Sequence, residues 1–348
     1  MGLLQRIGIV RLPLGMDIDG RIVLAAVSRD RHKTMCTGYS VVEPQESELT
    51  LRDMELDEAI RPYVEPLRRT VHQQHLRGRK VAISPPSDLL TIRHISLPPL
   101  PARVMRQAVR AEVGRQIQLP FEDPLLDYAV LPTAADGLRR VLVVAAPKPV
   151  VWPSVTLAIH AGLRPVALEP GMFAVTRMLS KDVSSHTAIL LVLLGTRGYD
   201  IGLVMHGAVH YVRFVASTHT DYPSRDSSLG DDWDKSAFAR DVGYEIDRSM
   251  GFMEYNMLEG KERISQLVIV DRLGCADQLL AVLAGRVDAP VVVPEMPFSV
   301  SATALGENEG VKNPKHDARS AQADGGSTDG FASVAAVAEG LALPEVSP

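Results

Sequence analysis

Apolar residues follow two rhythms along this chain, and each change of rhythm marks an element. Alternation at period two, or a short apolar run between turn residues, predicts strands at Ile22–Val27, Thr37–Glu43, Lys80–Ser84, Leu126–Leu131, Leu138–Ala145 and Pro165–Leu168. Leu90 and Ile92, with His94, alternate with polar neighbours and predict one more. Spacing of i, i+4 predicts a helix after Pro101 that lines up Met105, Val109, Val113 and Ile117; a proline suits the first helical turn. Helices are also expected within Leu56–Leu76, interrupted by Pro62 and Pro66, and at Val150–His160 and Gly171–Leu179. The second half restarts with "LLVLLGTRGYDIGLVMHG", Leu190 to Gly207: an apolar strand, a glycine-containing turn and a returning strand. Strand Val209–Val215, a polar loop over Ser217–Ser236 and the long helix Ala237–Leu258 come next. That helix should bury Phe238, Val242, Ile246, Met250, Met253 and Met257. Strand Leu267–Val270, helix Ala276–Leu283 and strand Val291–Val293 close the folded pattern.

Punctuation divides these elements. "SPPS", Ser84 to Ser87, opens a stretch ordered strand, helix, strand, strand, which reads as a compact α+β insertion over about residues 85–146. The expected organisation is a first domain over 1–182 carrying that insertion and a second over 183–300. Residues 301–329, rich in Gly, Ser, Asp, Asn and Lys, read as a disordered linker. The last stretch, 330–348, contains "FASVAAVAEGLAL" and reads as a helix that docks back on the fold. Both halves begin with a glycine-marked hairpin, "LGMDIDGRIVLAAVS" and "LLGTRGYDIGLVMHG", a weak internal duplication of the kind that organises actin-like folds.

Composition removes several function classes. A net charge of −5 argues against a broad nucleic-acid surface. Cys36 and Cys275 stand far apart without a CxxC partner, so neither a metal site nor a disulfide framework is expected, as suits a reducing cytoplasm. No apolar run reaches bilayer length, and "MGLLQRIGIV" lacks both a signal peptide's core and a myristoylation pattern. The expectation is a soluble cytoplasmic protein whose link to a membrane goes through a partner.

Three segments carry a family resemblance: "ISLPPLPARVMRQAVRAEVGRQIQLPFEDPLLDYAVL", "VLVVAAPKPVV" and "AGLRPVALEPGMFAVTRML". Glu112, Pro120-Phe121, Asp127-Tyr128, the run Ala145 to Lys148, Gly162-Leu163 and Pro165 stand at matching mutual spacing. The chain resembles the PilM family, actin-like cytoplasmic proteins of type IV pilus assembly. The resemblance implies a mixed α/β, actin-like (ASKHA) two-domain fold with the inserted subdomain, and a groove for the short cytoplasmic tail of a single-pass PilN-like inner-membrane protein. It also implies an ATP site, since many members bind ATP.

Against that implied site the sequence departs in four places. Family-like phosphate hairpins read Asp-Ile-Gly followed by small polar residues. Here Asp17-Ile18 is followed by Asp19 and then Gly20, and an added carboxylate repels polyphosphate. The aspartate position of the second hairpin holds Leu193, before Gly195. The adenosine-site glycine run is reduced to "DRLGCAD", with Gly274 alone. Between Val215 and Ala237 there is too little chain for a helical fourth subdomain. The degenerate nucleotide site therefore comprises Asp17, Gly20, Gly195 and Gly274, with neither ATP nor Mg²⁺ expected as cofactor. The expected function is a non-catalytic adaptor of pilus or related secretion machinery, with a residual ATP-binding protein of the same machinery as the alternative.

"MDIDGRIV" also resembles the start of haloacid-dehalogenase-type phosphatases, with "LGDDWD" as the acidic partner, but "VRLPLGM" is a poor nucleophile strand. His72 and His75 share helical spacing without further ligands and read as an exposed pair. "LPPLP" reads as a helix lead-in, and Arg103, Arg106 and Arg110 form a basic stripe opposite the apolar face. For the partner tail, the alternation assigns Leu24 and Ala26 of the first hairpin with Leu90, Ile92, Ile95 and Leu97 of the inserted strand as lining, the competing reading being that all are core.

Overall fold

The computed structural model describes residues 9–11, 13–19, 21–30, 33–44, 56–133, 137–179, 188–217, 234–258 and 260–294. The expected linker and C-terminal helix, Gly20, and nearly all of the polar loop lie outside the described residues.

Two sheets of like design form the molecule. The first uses β1 (Ile9–Arg11), β2 (Leu14–Asp19), β3 (Arg21–Asp30), β4 (Lys33–Val42), β5 (Lys80–Ser84) and β9 (Arg164–Leu168). The second uses β10 (Ile189–Gly195), β11 (Gly198–Met205), β12 (Ala208–Ala216), β13 (Gln266–Val270) and β14 (Val291–Val292). Their orders match strand for strand: β4-β3-β2-β5-β9 in one and β12-β11-β10-β13-β14 in the other. In each, three antiparallel strands are followed by two parallel ones. The duplication that the two hairpins hinted at is thus a property of the whole architecture, and the fold is the actin-like one expected.

Strand alternation sorts the first hairpin's side chains. Met16 and Ile18 join Leu14, Ile22 and Leu24 in a core under α1 (Leu56–Gln73) and α3 (Lys148–His160). Asp17 and Asp19 consequently point to the opposite face, toward the second domain. Helix α1 runs unbroken through Pro62 and Pro66, contrary to the interruption their presence suggested. Each proline forfeits one backbone bond, but Ile60, Leu67 and Val71 seat the helix against Leu157 and Ala158, and packing outweighs propensity.

Between β5 and α3 comes the inserted module: a 3₁₀ turn at Ser87–Leu89, β6 (Thr91–Leu97), α2 (Ala102–Gln116), β7 (Pro124–Thr133) and β8 (Arg139–Pro147), with sheet order β6-β8-β7. Met105, Val109 and Val113 of α2 cover Ile95, Leu97, Val141 and Val143. The other sheet face, through Ile92 and Leu142, packs with Val209 and Val212 of the second domain. In that domain α5 (Lys235–Asn256) and α6 (Ala276–Leu283) cover one side of the sheet, where Phe238, Val242, Ile246 and Met253 are buried and Met250 and Met257 half-buried. Helix α4 (Gly171–Leu179) crosses to the opposite side, meeting Leu191, Leu193 and Val270.

Candidate functional site

The two hairpins converge at the cleft between the sheets, and the sequence supplies the group that fills it. Strand β13 ends at Val270, and Asp271-Arg272 follow at its carboxyl end, level with the hairpin turns. Arg272 is buried, and its guanidinium is used on all sides. Nη1 lies 2.9 Å from Asp17 Oδ2, Nη2 lies 3.5 Å from Asp19 Oδ2, and Nε donates to the Leu194 carbonyl at 2.7 Å. Asp19 in turn accepts from the Thr196 amide at 2.9 Å and the Thr196 hydroxyl at 2.8 Å. Arg197, next in the same turn, pairs with Asp88 of the 3₁₀ turn at 2.9 Å. An ion-pair clasp spanning both domains therefore sits where the hairpin backbones could grip phosphate. Two gaps are lined by Asp17, Asp19 and Arg272, each of about 10 Å³, the room of a single water molecule.

Charge states follow from the packing. Burial pushes the Asp17 carboxyl up, Arg272 only partly opposing it. Burial acts the same way on Asp19, but Arg272 and the two Thr196 hydrogen bonds outweigh it and hold that carboxyl low. Asp200, on β11 opposite Leu193, is pushed up to about 7 by burial, with a Ser87 hydrogen bond acting against it.

Of the sequence-predicted nucleotide residues, Asp17 and Gly195 come together and Gly274 stands apart. A Cβ on Gly195 would come within 2.7 Å of Arg272 Nη2 and 3.0 Å of Asp19 Oδ2, so the glycine is needed by the clasp itself. Gly274, at φ +69, donates its amide to Asp271 Oδ1 at 3.0 Å. Asp271 also accepts from the amides of Leu273, Cys275 and Ala276, so a carboxylate of the chain already occupies the N-terminus of α6. Leu193 is core, buried with Val270 and Met172. In the register, the mate of the pair Asp17–Ser84 is Leu193–Val270, apolar on both strands.

Sequence reasoning missed Arg272, Thr196, Asp200 and Asp271. A signal existed: an Asp-Arg pair closing an apolar strand, and a second Asp-Ile-Gly at Asp200 to Gly202. As for a phosphatase, Asp17 lies inside an antiparallel hairpin and is committed to Arg272, and nearly all of "LGDDWD" lies outside the described residues.

The proposed peptide lining requires correction. Leu24 and Ala26 are buried under α1 and α3, Ile95 and Leu97 under α2, and Ile92 in the seam with the second domain. They belong to three separate cores because β6 alternates: Ile92 faces one way, Ile95 and Leu97 the other. Leu90 is half-buried. No groove is lined by this set.

No protein-family model and no curated protein matches the chain. Among solved structures, a PilM-PilN type IV pilus biogenesis complex is similar at 21% identity and a TM-score of 0.64, over 80% of this chain and 88% of that one. A Bacteroides thetaiotaomicron protein with an actin-like ATPase fold matches at 12% identity and TM-score 0.46, over 84% and 94%. The cytoplasmic domain of EpsL, an inner-membrane component of the Vibrio cholerae type II secretion system, matches at 10% and 0.44, over 83% and 86%. The first of these likenesses shows a shared fold. Among the described residues no helix is long and apolar enough to cross a membrane.

Proposed function

We propose that this chain is a non-catalytic scaffold of type IV pilus or related secretion machinery, held at the inner face of the inner membrane by the cytoplasmic tail of a PilN-like protein. The observation that carries the non-catalytic part is the Arg272 guanidinium between Asp17 and Asp19. A nucleotide must displace it and leave a buried carboxylate unpaired. Breaking a buried pair in this way costs about 3–5 kcal/mol, roughly two to four orders of magnitude in affinity. Calorimetry with Mg·ATP on the purified protein is expected to give no heat at micromolar concentrations. Micromolar affinity would favour the residual ATP-binding reading instead.

The partner half of the proposal rests on the likeness to a PilM-PilN complex and on an open sheet edge. Strand β9 pairs only with β5 among the described strands, so its outer edge can accept an extended peptide. Val166 on β9 and Trp152 and Ile159 on the adjoining α3 are about half exposed, apolar surface that a tail would cover. These residues replace the buried lining expected from alternation. Trp152→Asp and Val166→Asp should keep the fold, since half of each side chain is already in solvent, and should weaken capture of the tail peptide at least tenfold. Full capture by both variants would move the groove elsewhere.

A further inference from the structure

The α2 side of the inserted module carries an excess of positive charge that the clasp and the peptide edge do not explain. Arg103, Arg106 and Arg110, at i, i+3 and i+7, share one side of α2, and all three are exposed. Among the described residues none of them has an ion-pair or hydrogen-bond partner. The sheet adds to the same side. Arg93 pairs with Val143 and Leu97 with Arg139, and Val143 and Leu97 are buried beneath α2, so Arg93 and Arg139 flank the helix on the face it covers. Arg115 is exposed too, but is spent on Glu112 at 2.7 Å. From Thr91 to Ile117 the chain holds five arginines and one acid, Glu112, whereas the whole protein has a net charge of −5. A cationic face on an anionic protein is set against its own background, and its three α2 guanidiniums have no partner among the described residues, while Arg93 donates to the Ile92 carbonyl at 2.8 Å. Val104 stands exposed beside Arg103, so an apolar group accompanies the guanidiniums.

We propose that this face docks on an anionic phospholipid surface. The charge is on guanidiniums, which pair bidentately with phosphate, and exposed Val104 suits an interfacial depth. Each guanidinium near such a surface is worth about a fivefold gain in partitioning, so three give on the order of 100-fold. That is a modest preference, measurable with excess lipid in the absence of a partner and enough to orient a protein already tethered. The inference depends on the proposed function only for the location in the cell; vesicle binding is measured without any partner.

The test is co-sedimentation of the full chain with vesicles of phosphatidylglycerol and phosphatidylcholine against vesicles of phosphatidylcholine alone. Preferential binding to the anionic vesicles is expected, falling steeply with salt as screening sets in. Arg103→Gln/Arg106→Gln/Arg110→Gln should lower that binding on the order of 100-fold while leaving the melting temperature and tail capture unchanged, because among the described residues these side chains make no ion pair or hydrogen bond. Equal binding to both vesicle types, or unchanged binding by the triple variant, overturns the proposal. So does a soluble polyglutamate peptide that binds the face more tightly than the vesicles do, since the face would then read an acidic protein. Failure of tail capture with intact vesicle binding would count against the proposed function alone.

Discussion

Replacing Arg272 with methionine keeps most of the side-chain volume and removes the guanidinium, isolating the clasp's charge from its packing. Three interactions go at once: the pairs to Asp17 and Asp19 and the hydrogen bond to the Leu194 carbonyl. Asp17 is 3% exposed, so the carboxylate left behind is poorly reached by water. Removing one member of such a pair costs about 3–5 kcal/mol, which for a domain of 150–250 residues is roughly 6–20 °C of melting temperature. The variant should melt that much lower in a thermal scan followed by circular dichroism. Asp17→Asn in the same background removes the stranded charge and should restore a large part of the loss, because a neutral pair of similar shape carries no desolvation debt. Asp19 should suffer less than Asp17, since both Thr196 hydrogen bonds remain. A melting temperature within two degrees of the parent, or a double variant no more stable than the single, would refute the clasp as a stabilising link between domains.

Asp200 has a folded pKa raised to about 7 from 3.8, so the folded state binds the extra proton between those values. Stability is then greatest at low pH and is lost as pH rises through 7. Asp200→Asn should be more stable than the parent at pH 8, by up to about 4 kcal/mol, with the difference vanishing near pH 3.5 in denaturant titrations. His94 on β6 and His210 on β12 behave oppositely. Burial lowers each to about 4, helped at His94 by His210 and Arg140 and at His210 by His206, so their contribution is complete above about pH 6.5 and is lost as pH falls toward 4. Both rings retain some solvent contact, so about 1–2 kcal/mol each is expected on that acid limb. A His94→Leu/His210→Leu variant should flatten it, at a cost at pH 7 of no more than the one hydrogen bond between His210 and the Met205 backbone, because both Nε2 atoms are buried without a hydrogen-bond partner. An acid limb as steep as the parent's would refute this. Gly198 has φ +149, and a Cβ there would lie 2.2 Å from the Val215 carbonyl oxygen. Gly198→Ala should therefore cost about 3–5 kcal/mol, against little for Gly251→Ala, where nothing lies within 4 Å.

What the sequence determined by itself is whatever depends on local periodicity. The hairpin at Leu190 to Gly207, the face of α2 through Met105, Val109 and Val113, and the inserted strand-helix-strand-strand order all stand where apolar spacing placed them. The absence of an aspartate at Leu193 was equally legible, because a single position needs no partner to be read. Tertiary structure decided everything that required two distant segments to meet. Asp19 read as a repulsive intruder at a phosphate site; in the fold it is one arm of a clasp closed by Arg272, 253 positions away in sequence. The lining proposed for a peptide failed for the same reason. Alternation says that Leu24, Ile92 and Ile95 leave their strands on defined faces, but which face meets solvent depends on which sheet or helix arrives to cover it. Helices α1, α2 and α3 and the second-domain sheet covered all of them. Exposure at Trp152 and Val166 is decided the same way, since α3 is apolar on both sides and only its packing shows which side is left open.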